Sequence, residues 1–309
     1  YHVQLKYPSA KWYAKRQEFT YKPWPEWPDN SNNAAFFNLR PVTKNKNSTD
    51  SVSVTVIQNT KPIYAGERKQ VKYDHVPSII YFKDAKANLV QIDLKTYGKK
   101  IGYITGAGDK VPEALEQMGY EVTLLGDKEL SKNNLSQFDA IITGVRAYNT
   151  HPWMNKHFDK LMKYVNEGGN MIVQYNTSNQ IGPVKAKIGP YPFVITRNRV
   201  TDENATVKML NPEHPVFTFP NKITADDFTG WKQERSIYHA SDTSGKFEKL
   251  ISMADPREKS DDGSLLVAKY GKGWFTYTGL VFFRELPAGV PGAYRLLANI
   301  IALNKKKGF

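Results

Sequence analysis

The stretch from Lys99 to Thr177 decides the fold. It contains KKIGYITGAGD (99–109), VPEALEQMGYEVTLLG (111–126), FDAIITGVRAYNT (138–150) and GGNMIVQYNT (168–177). Four apolar runs, 101–105, 122–125, 140–143 and 171–175, alternate with segments of helical period. The first three end at or just before a glycine, and the fourth follows Gly168-Gly169. Continuous apolar runs separated by helices predict a parallel sheet buried on both faces. Val111, Leu115 and Met118 share one helix face, stopped by Gly119. Met154, Phe158, Leu161, Met162 and Val165 form a second stripe, stopped by Gly168-Gly169. Asn149 or Thr150 is the expected cap of that second helix, with Pro152 in its first turn. In such sheets ligands sit beyond the carboxyl ends of the strands.

Downstream, residues 180 to about 260 are rich in Pro, Asn, Thr and Asp and read as an insertion over the strand ends. The sheet resumes at 264–270, turns at Gly271-Lys272-Gly273 and returns along 274–283, an antiparallel hairpin. A last helix is expected over 292–303. Upstream the period changes. Ser51–Val56 alternates with period two, and 68–73 and 89–94 are further strand candidates. Lys22–Pro28 places prolines between tryptophans, which excludes a helix interior. The domains expected are therefore 1–97, a β-rich module with an extended aromatic arm (Trp12, Tyr13, Tyr21, Trp24, Trp27), and 98–309, an α/β domain.

Composition bounds the function. Among 309 residues there is no cysteine, which removes disulfides, thiolate catalysis and cysteine-based metal sites. The formal net charge is +13. The lysines (44, 46, 61, 69, 72, 99) are scattered, the tightest run is the tail 305–307, and no recognition helix or RNA-binding aromatic signature accompanies them, which argues against nucleic acid. No apolar run reaches the roughly 18 residues of a membrane span. A chain opening Tyr1-His2-Val3 reads as a mature or excised piece.

Candidate chemistry is sparse. Gly106-Ala107-Gly108 follows a strand but lacks the third glycine of a dinucleotide fingerprint and the Lys-Ser/Thr of a phosphate loop, so a tight turn is expected. The six histidines (2, 75, 151, 157, 214, 239) show no metal-ligand spacing, and no metal or cofactor is expected. No Gly-x-Ser-x-Gly elbow exists for a serine nucleophile. Polar and aromatic residues instead gather at strand ends. Arg146, Tyr148 and Asn149 follow the third strand, and Tyr175, Asn176 and Asn179 the fourth. Gln233, Glu234 and Arg235 lie in the insertion, and Arg284 and Glu285 follow the last strand. Such groups suit a polyhydroxylated or carboxylated ligand, or else tie the insertion to the sheet. Glu234 and Glu285 are the carboxylate pair to consider for acid–base work.

The strings IGYITGAGDKVPEALEQMGYEVTLL, GSLLVAKYGKGWFTYTGL and LPAGVPGAYRLLANIIAL resemble the C-terminal region of large bacterial (Bacteroidetes-like) PIG-L/LmbE-type proteins. There, a zinc-dependent N-acetylsugar deacetylase domain precedes a β-rich module and a class I glutamine-amidotransferase-like domain. The resemblance implies a mainly parallel, flavodoxin/amidotransferase-like α/β sheet with flanking helices, preceded by a β-sandwich-like module. The catalytic parts of both families are missing. His151-Pro152 and His214-Pro215 are not followed by the two acids of a His-Pro-Asp-Asp segment. The turn Thr143-Gly144-Val145-Arg146-Ala147 has no cysteine where an amidotransferase needs one. The implied function is a non-catalytic accessory or glycan-binding region of a PIG-L-type deacetylase, with a sugar ligand and the deacetylase domain as partners. A carbohydrate hydrolase using the Glu pair and an envelope scaffold or protein-interaction module are the alternatives. The implied location is bacterial and exported, periplasmic or at the cell surface.

Overall fold

A computed structural model of the chain describes residues 2–20, 37–43, 47–178, 184 and 187–305. The chain divides into two compact units, Tyr1–Asp93 and Leu94–Phe309; the sequence pattern had placed the division at 97/98.

In the second unit the apolar runs become β1 (Lys100–Ile104), β2 (Glu121–Leu124), β3 (Ala140–Thr143) and β4 (Asn170–Gln174), followed by β5 (Glu248–Lys249), β6 (Leu265–Tyr270) and β7 (Gly273–Thr278). They form one seven-stranded sheet in the order β2-β1-β3-β4-β7-β6-β5. The pairs β1–β2, β1–β3, β3–β4 and β4–β7 are parallel, and β7–β6 and β6–β5 are antiparallel. The sheet is mixed because the two-residue Gly271-Lys272 turn permits only an antiparallel return. The expected long run 274–283 is cut short: β7 ends at Thr278, and Phe282–Glu285 is a helical turn.

The helices are α1 (Val111–Gln117), α2 (Asp127–Lys132), α3 (Ala147–Thr150), α4 (Phe158–Asn166), α5 (Pro215–Thr218), α6 (Phe282–Glu285) and α7 (Pro291–Ile301). α1 and α4 stop in the same way. Gly119 and Gly168 adopt left-handed backbone, with Tyr120 N donating to Leu115 O and Gly169 N to Tyr164 O. This C-terminal motif satisfies orphan carbonyls and turns the chain directly into β2 and β4. The predicted cap at Asn149 or Thr150 does not form. His151 precedes a 3-10 segment, Pro152–His157, that leads into α4.

β3, β4 and β7 are buried along their whole length. Leu161, Met162 and Val165 of α4 pack with Met171, Val173, Phe275 and Tyr277 on one face of the sheet. α7 packs against β4, where the Asn170 side chain donates to Ile300 O and Ile301 O. Each fully buried Leu or Ile is worth about 1.5–3 kcal/mol, so this double coverage is what holds the sheet.

The first unit is antiparallel. His2–Lys6, Glu18–Thr20, Ser48–Gln58, Lys61–Ile63 and Lys86–Gln91 form one sheet around the long strand Ser48–Gln58. Trp12–Ala14 pairs with Leu39–Pro41, and Gly66–Tyr73 pairs with Val76–Asp84. Trp12 is buried, and its indole donates to Asp50 at 2.9 Å. Tyr13 is exposed beneath the Arg40 guanidinium. Tyr21, Trp24, Trp27 and Asn179 lie outside the described residues.

Candidate functional site

The strand order reverses between β1 and β3, the usual place for a ligand in an open α/β sheet. Here the chain fills that place itself. Ala107 N donates to Val145 O at 2.8 Å. A side chain at Gly106 would collide with Val145 O at 2.0 Å, so only glycine permits this approach. Asp109 accepts from Tyr103 Oη, Val111 N and Val145 N. The Gly106–Gly108 loop is thus a tight turn locked onto the β3 loop.

The region beyond the ends of β3, β4 and β7 is built differently. β3 runs into α3 through a sharp elbow whose turning residue is Arg146, at φ 61° and ψ 21°. This left-handed conformation costs a non-glycine residue on the order of 1–2 kcal/mol. It persists because the neighbours are fixed. Arg146 N donates to Tyr175 O at 2.8 Å, Ala147 N to Gly144 O, and Tyr148 N to Asn176 Oδ1.

Tyr175, whose carbonyl anchors the elbow, also meets the segment Trp231–His239, WKQERSIYH. Its residues alternate between two duties. Gln233 (φ 69°) and Tyr238 (φ 49°) are also left-handed. The Tyr238 ring stacks on Tyr175, with centroids 5.7 Å apart and planes 8° from parallel. Phe283 completes an aromatic lip, 5.4 Å from Tyr175. Arg284 lies over Phe283, pairs with Glu234 at 2.8 Å and also donates to Gln233 Oε1. Burial pushes the Tyr175 hydroxyl pKa upward, and the charges of Arg146 and Arg284 pull it the other way. Arg146, Arg284, Glu234 and Tyr238 therefore all act electrostatically on one hydroxyl.

The other residues of this segment face inward. Arg235 is buried and donates to Ala205 O and Phe228 O, with its guanidinium 5.8 Å from the Trp231 ring centroid. Glu285 is fully buried and accepts Lys232 N with both carboxylate oxygens at 3.0 Å. Burial raises its pKa to about 7.

The polar residues picked out from the sequence thus separate into two groups. Arg146, Tyr175, Gln233, Glu234 and Arg284 gather at the lip. Tyr148, Asn149, Asn176, Arg235 and Glu285 are buried and spend their polar atoms on the protein. Asn149 Nδ2 donates to Thr177 O and its Oδ1 accepts Thr177 N, which is why it caps no helix. Tyr148 belongs to the core beneath α4, with its hydroxyl 3.5 Å from Ile188 O. Tyr148, Asn149, Asn176 and Arg235, expected to contact a ligand, instead form part of the frame, and Glu285 joins them. Glu234 and Glu285 do not form a matched acid–base pair: one is held by Arg284 and the other by the Lys232 backbone.

The sequence reading missed a relay. Ser236 Oγ lies 2.5 Å from His239 Nε2, and His239 Nδ1 lies 2.5 Å from Asp261 Oδ1. This is the hydrogen-bond order of a serine-hydrolase triad. Ser236 and His239 are only 0% and 1% exposed, however. The backbone donors that would hold an oxyanion are also spent, with Ser236 N on Val200 O and Ile237 N on Gly279 O. Without access or an oxyanion site the relay is a clamp. Asp261 also accepts Gly263 N and Asn198 Nδ2, so the clamp joins three segments. Burial raises the Asp261 pKa, but these hydrogen bonds outweigh it and hold the carboxyl far below its usual range. The only sequence signal was a Ser-x-x-His spacing, which is common by chance.

Among the described residues no group of three or more His, Asp or Glu is placed to hold a metal, and no helix is long and apolar enough to cross a membrane.

No protein-family model and no curated protein matches the chain. Among solved structures it is similar to a cytoplasmic protein from Salmonella typhimurium, with 12% identity and a TM-score of 0.42 over 76% of this chain and 94% of that one. A second Salmonella cytoplasmic protein, from strain LT2, gives 11% identity and a TM-score of 0.43 over 67% and 100%. A cold-adapted β-galactosidase from Rahnella sp. R3 gives 14% identity and a TM-score of 0.38 over 66% and 31%. These distant likenesses carry no functional argument. On its own geometry, the second unit is a mixed α/β protein with an arginine at its strand–helix elbow and an aromatic lip facing it.

Proposed function

We propose that the second unit is a non-catalytic binding module for a polyhydroxylated ligand, a glycan, and that it serves a PIG-L-type N-acetylsugar deacetylase as an accessory region. The observation that carries this reading is the elbow. Arg146 stands where a nucleophile would, and the residues gathered around it are Tyr175, Tyr238, Phe283 and Arg284. Aromatic faces stack on sugar rings and arginine forks bind hydroxyl and carboxylate oxygens, so the set binds without supplying a reacting group. The parallel order β2-β1-β3-β4 supports the amidotransferase-like description of the sheet, and the antiparallel first unit supports a sandwich-like accessory module. The test is glycan-array and calorimetric binding by the whole chain. Tyr238→Ala should abolish binding to any glycan recognised by the parent, and chromogenic glycosides should not be turned over. Robust hydrolysis by the unmodified chain would overturn the reading.

A protein-interaction module is the second reading, favoured by the hairpin Gly66–Asp84. Its strand Val76–Asp84 is exposed throughout and shows Ile79, Ile80, Tyr81 and Phe82 to solvent. Exposed apolar surface of this kind marks interaction sites. Cross-linking to envelope proteins that disappears in an Ile80→Lys/Phe82→Lys variant would favour it.

A further inference from the structure

The two arginines of the lip are not equivalent. Arg284 is neutralised: Glu234 pairs with its Nε and Gln233 takes an Nη. Arg146 forms no ion pair among the described residues, and its Nε is buried without a hydrogen-bond partner. A donor taken out of water and left unmatched costs about 1–3 kcal/mol. Arg146 also carries the backbone strain of its left-handed turn. Two costs at one residue, next to a stacked tyrosine pair, set Arg146 apart from the other polar residues of the lip.

The backbone of the elbow is not what waits. The first amides of α3 are spent on Gly144 O and Asn176 Oδ1. The group without an ion pair among the described residues is the Arg146 guanidinium, half-buried with its Nε inward, and the best complement of such a planar fork is a carboxylate accepting two parallel N–H bonds. A neutral sugar would satisfy the donor but leave the charge unmatched. The net charge of +13 favours approach of an acidic polymer to the whole chain.

Resting on the glycan-binding reading, we propose that the ligand is an acidic sugar of the uronic-acid class: its carboxylate is received by Arg146 and its ring lies against the Tyr175–Tyr238 pair. Arg284, already paired, serves the neutral hydroxyls.

The test measures binding of the whole chain to three probes: an oligogalacturonate, the neutral galactose oligosaccharide of the same length, and a sulfated dextran. Arg146→Asn is the first variant, because asparagine tolerates left-handed backbone and should keep the fold. Arg146→Lys is the second and keeps the charge while losing the fork. The expected result is oligogalacturonate binding at least about tenfold tighter than the neutral oligosaccharide. Arg146→Asn should bring oligogalacturonate affinity down to that of the neutral oligosaccharide, and Arg146→Lys should recover only part of the preference. Equal affinity for the acidic and neutral probes, unchanged in Arg146→Asn, would overturn the acidic-sugar assignment and leave glycan binding standing. Equal affinity for oligogalacturonate and sulfated dextran, insensitive to Arg146→Lys, would overturn it in favour of charge alone. Binding of none of the three, with the fold verified by circular dichroism, would overturn the assignment and the reading beneath it together.

Discussion

Two polar clusters share the segment Lys232–His239 and treat it in opposite ways. The clamp takes Arg235, Ser236 and His239, with Glu285 and Asp261 as partners, and its members spend their polar atoms on the protein. The lip takes Gln233, Glu234 and Tyr238, with Arg146, Tyr175 and Arg284, and keeps three left-handed residues and one unmatched guanidinium nitrogen. Neighbouring residues thus divide the work: inward side chains hold the loop so that outward ones can be strained. Stability is expected to depend on the clamp and ligand affinity on the lip.

Five substitutions test that contrast. The largest effect should come from His239→Ala, which leaves buried Ser236 without its partner and Asp261 without a principal one. A loss of about 2–4 kcal/mol is expected in denaturant unfolding, with ligand affinity falling only as Tyr238 is released. The relay also sets an acid limit. Because the folded Asp261 carboxyl lies below its ordinary value of 3.8, its contribution is present above that pH and is lost as pH falls through the folded value. Asp261→Asn should remove that limb of the stability profile.

Glu285 should act with the opposite sign. Its folded pKa of about 7 exceeds the ordinary 4.5, so its stability contribution is full below 4.5 and is lost as pH rises through 7. Denaturation midpoints measured from pH 4.5 to 8 should fall by the equivalent of about 1–2 kcal/mol, allowing for partial screening. Glu285→Gln should flatten that slope. A flat profile in the parent would place Glu285 outside the clamp.

At the lip the signs reverse. Arg146→Gly relieves the left-handed strain and the buried unmatched nitrogen, against the extra chain entropy of glycine. Stability unchanged or up to about 1 kcal/mol higher is expected, together with loss of the preference for the acidic ligand. A marked destabilisation would show that Arg146 is structural after all. The smallest effect belongs to Glu234→Gln. It removes a partly exposed ion pair and should change stability by less than about 1 kcal/mol, while shifting affinity for neutral glycans several-fold through Arg284.

The sheet was legible because its signals are local. The runs 101–105, 140–143 and 171–175 are apolar enough to be buried on both faces, and Gly119 and Gly168 end the helices that feed β2 and β4. An apolar run alone did not decide burial, however. Ile79-Ile80-Tyr81-Phe82 is as apolar as Ala140–Thr143, yet it stays exposed among the described residues because its strand belongs to a lone two-stranded hairpin with no layer over it. Among the lip residues, Arg146 and Arg284 follow strands and Gln233 and Glu234 lie in the insertion, whereas Tyr148, Asn149, Asn176 and Arg235 occupy equally suggestive positions and turn inward. Nothing local separates the two groups.

The α/β alternation, the parallel core and the antiparallel return at Gly271-Lys272 can therefore be read from the sequence, as can the lack of cysteine. Hydrophobic period, glycine stops and residue identity act over a few positions and can be read in one dimension. Only the tertiary structure decided which polar groups clamp and which wait. His239 meets Asp261 across 22 residues of chain. Arg146, Gln233 and Tyr238 are left-handed against the preference of their own side chains. Such conformations are imposed by anchors elsewhere in the fold, because the free energy that maintains them comes from neighbours that only folding assembles.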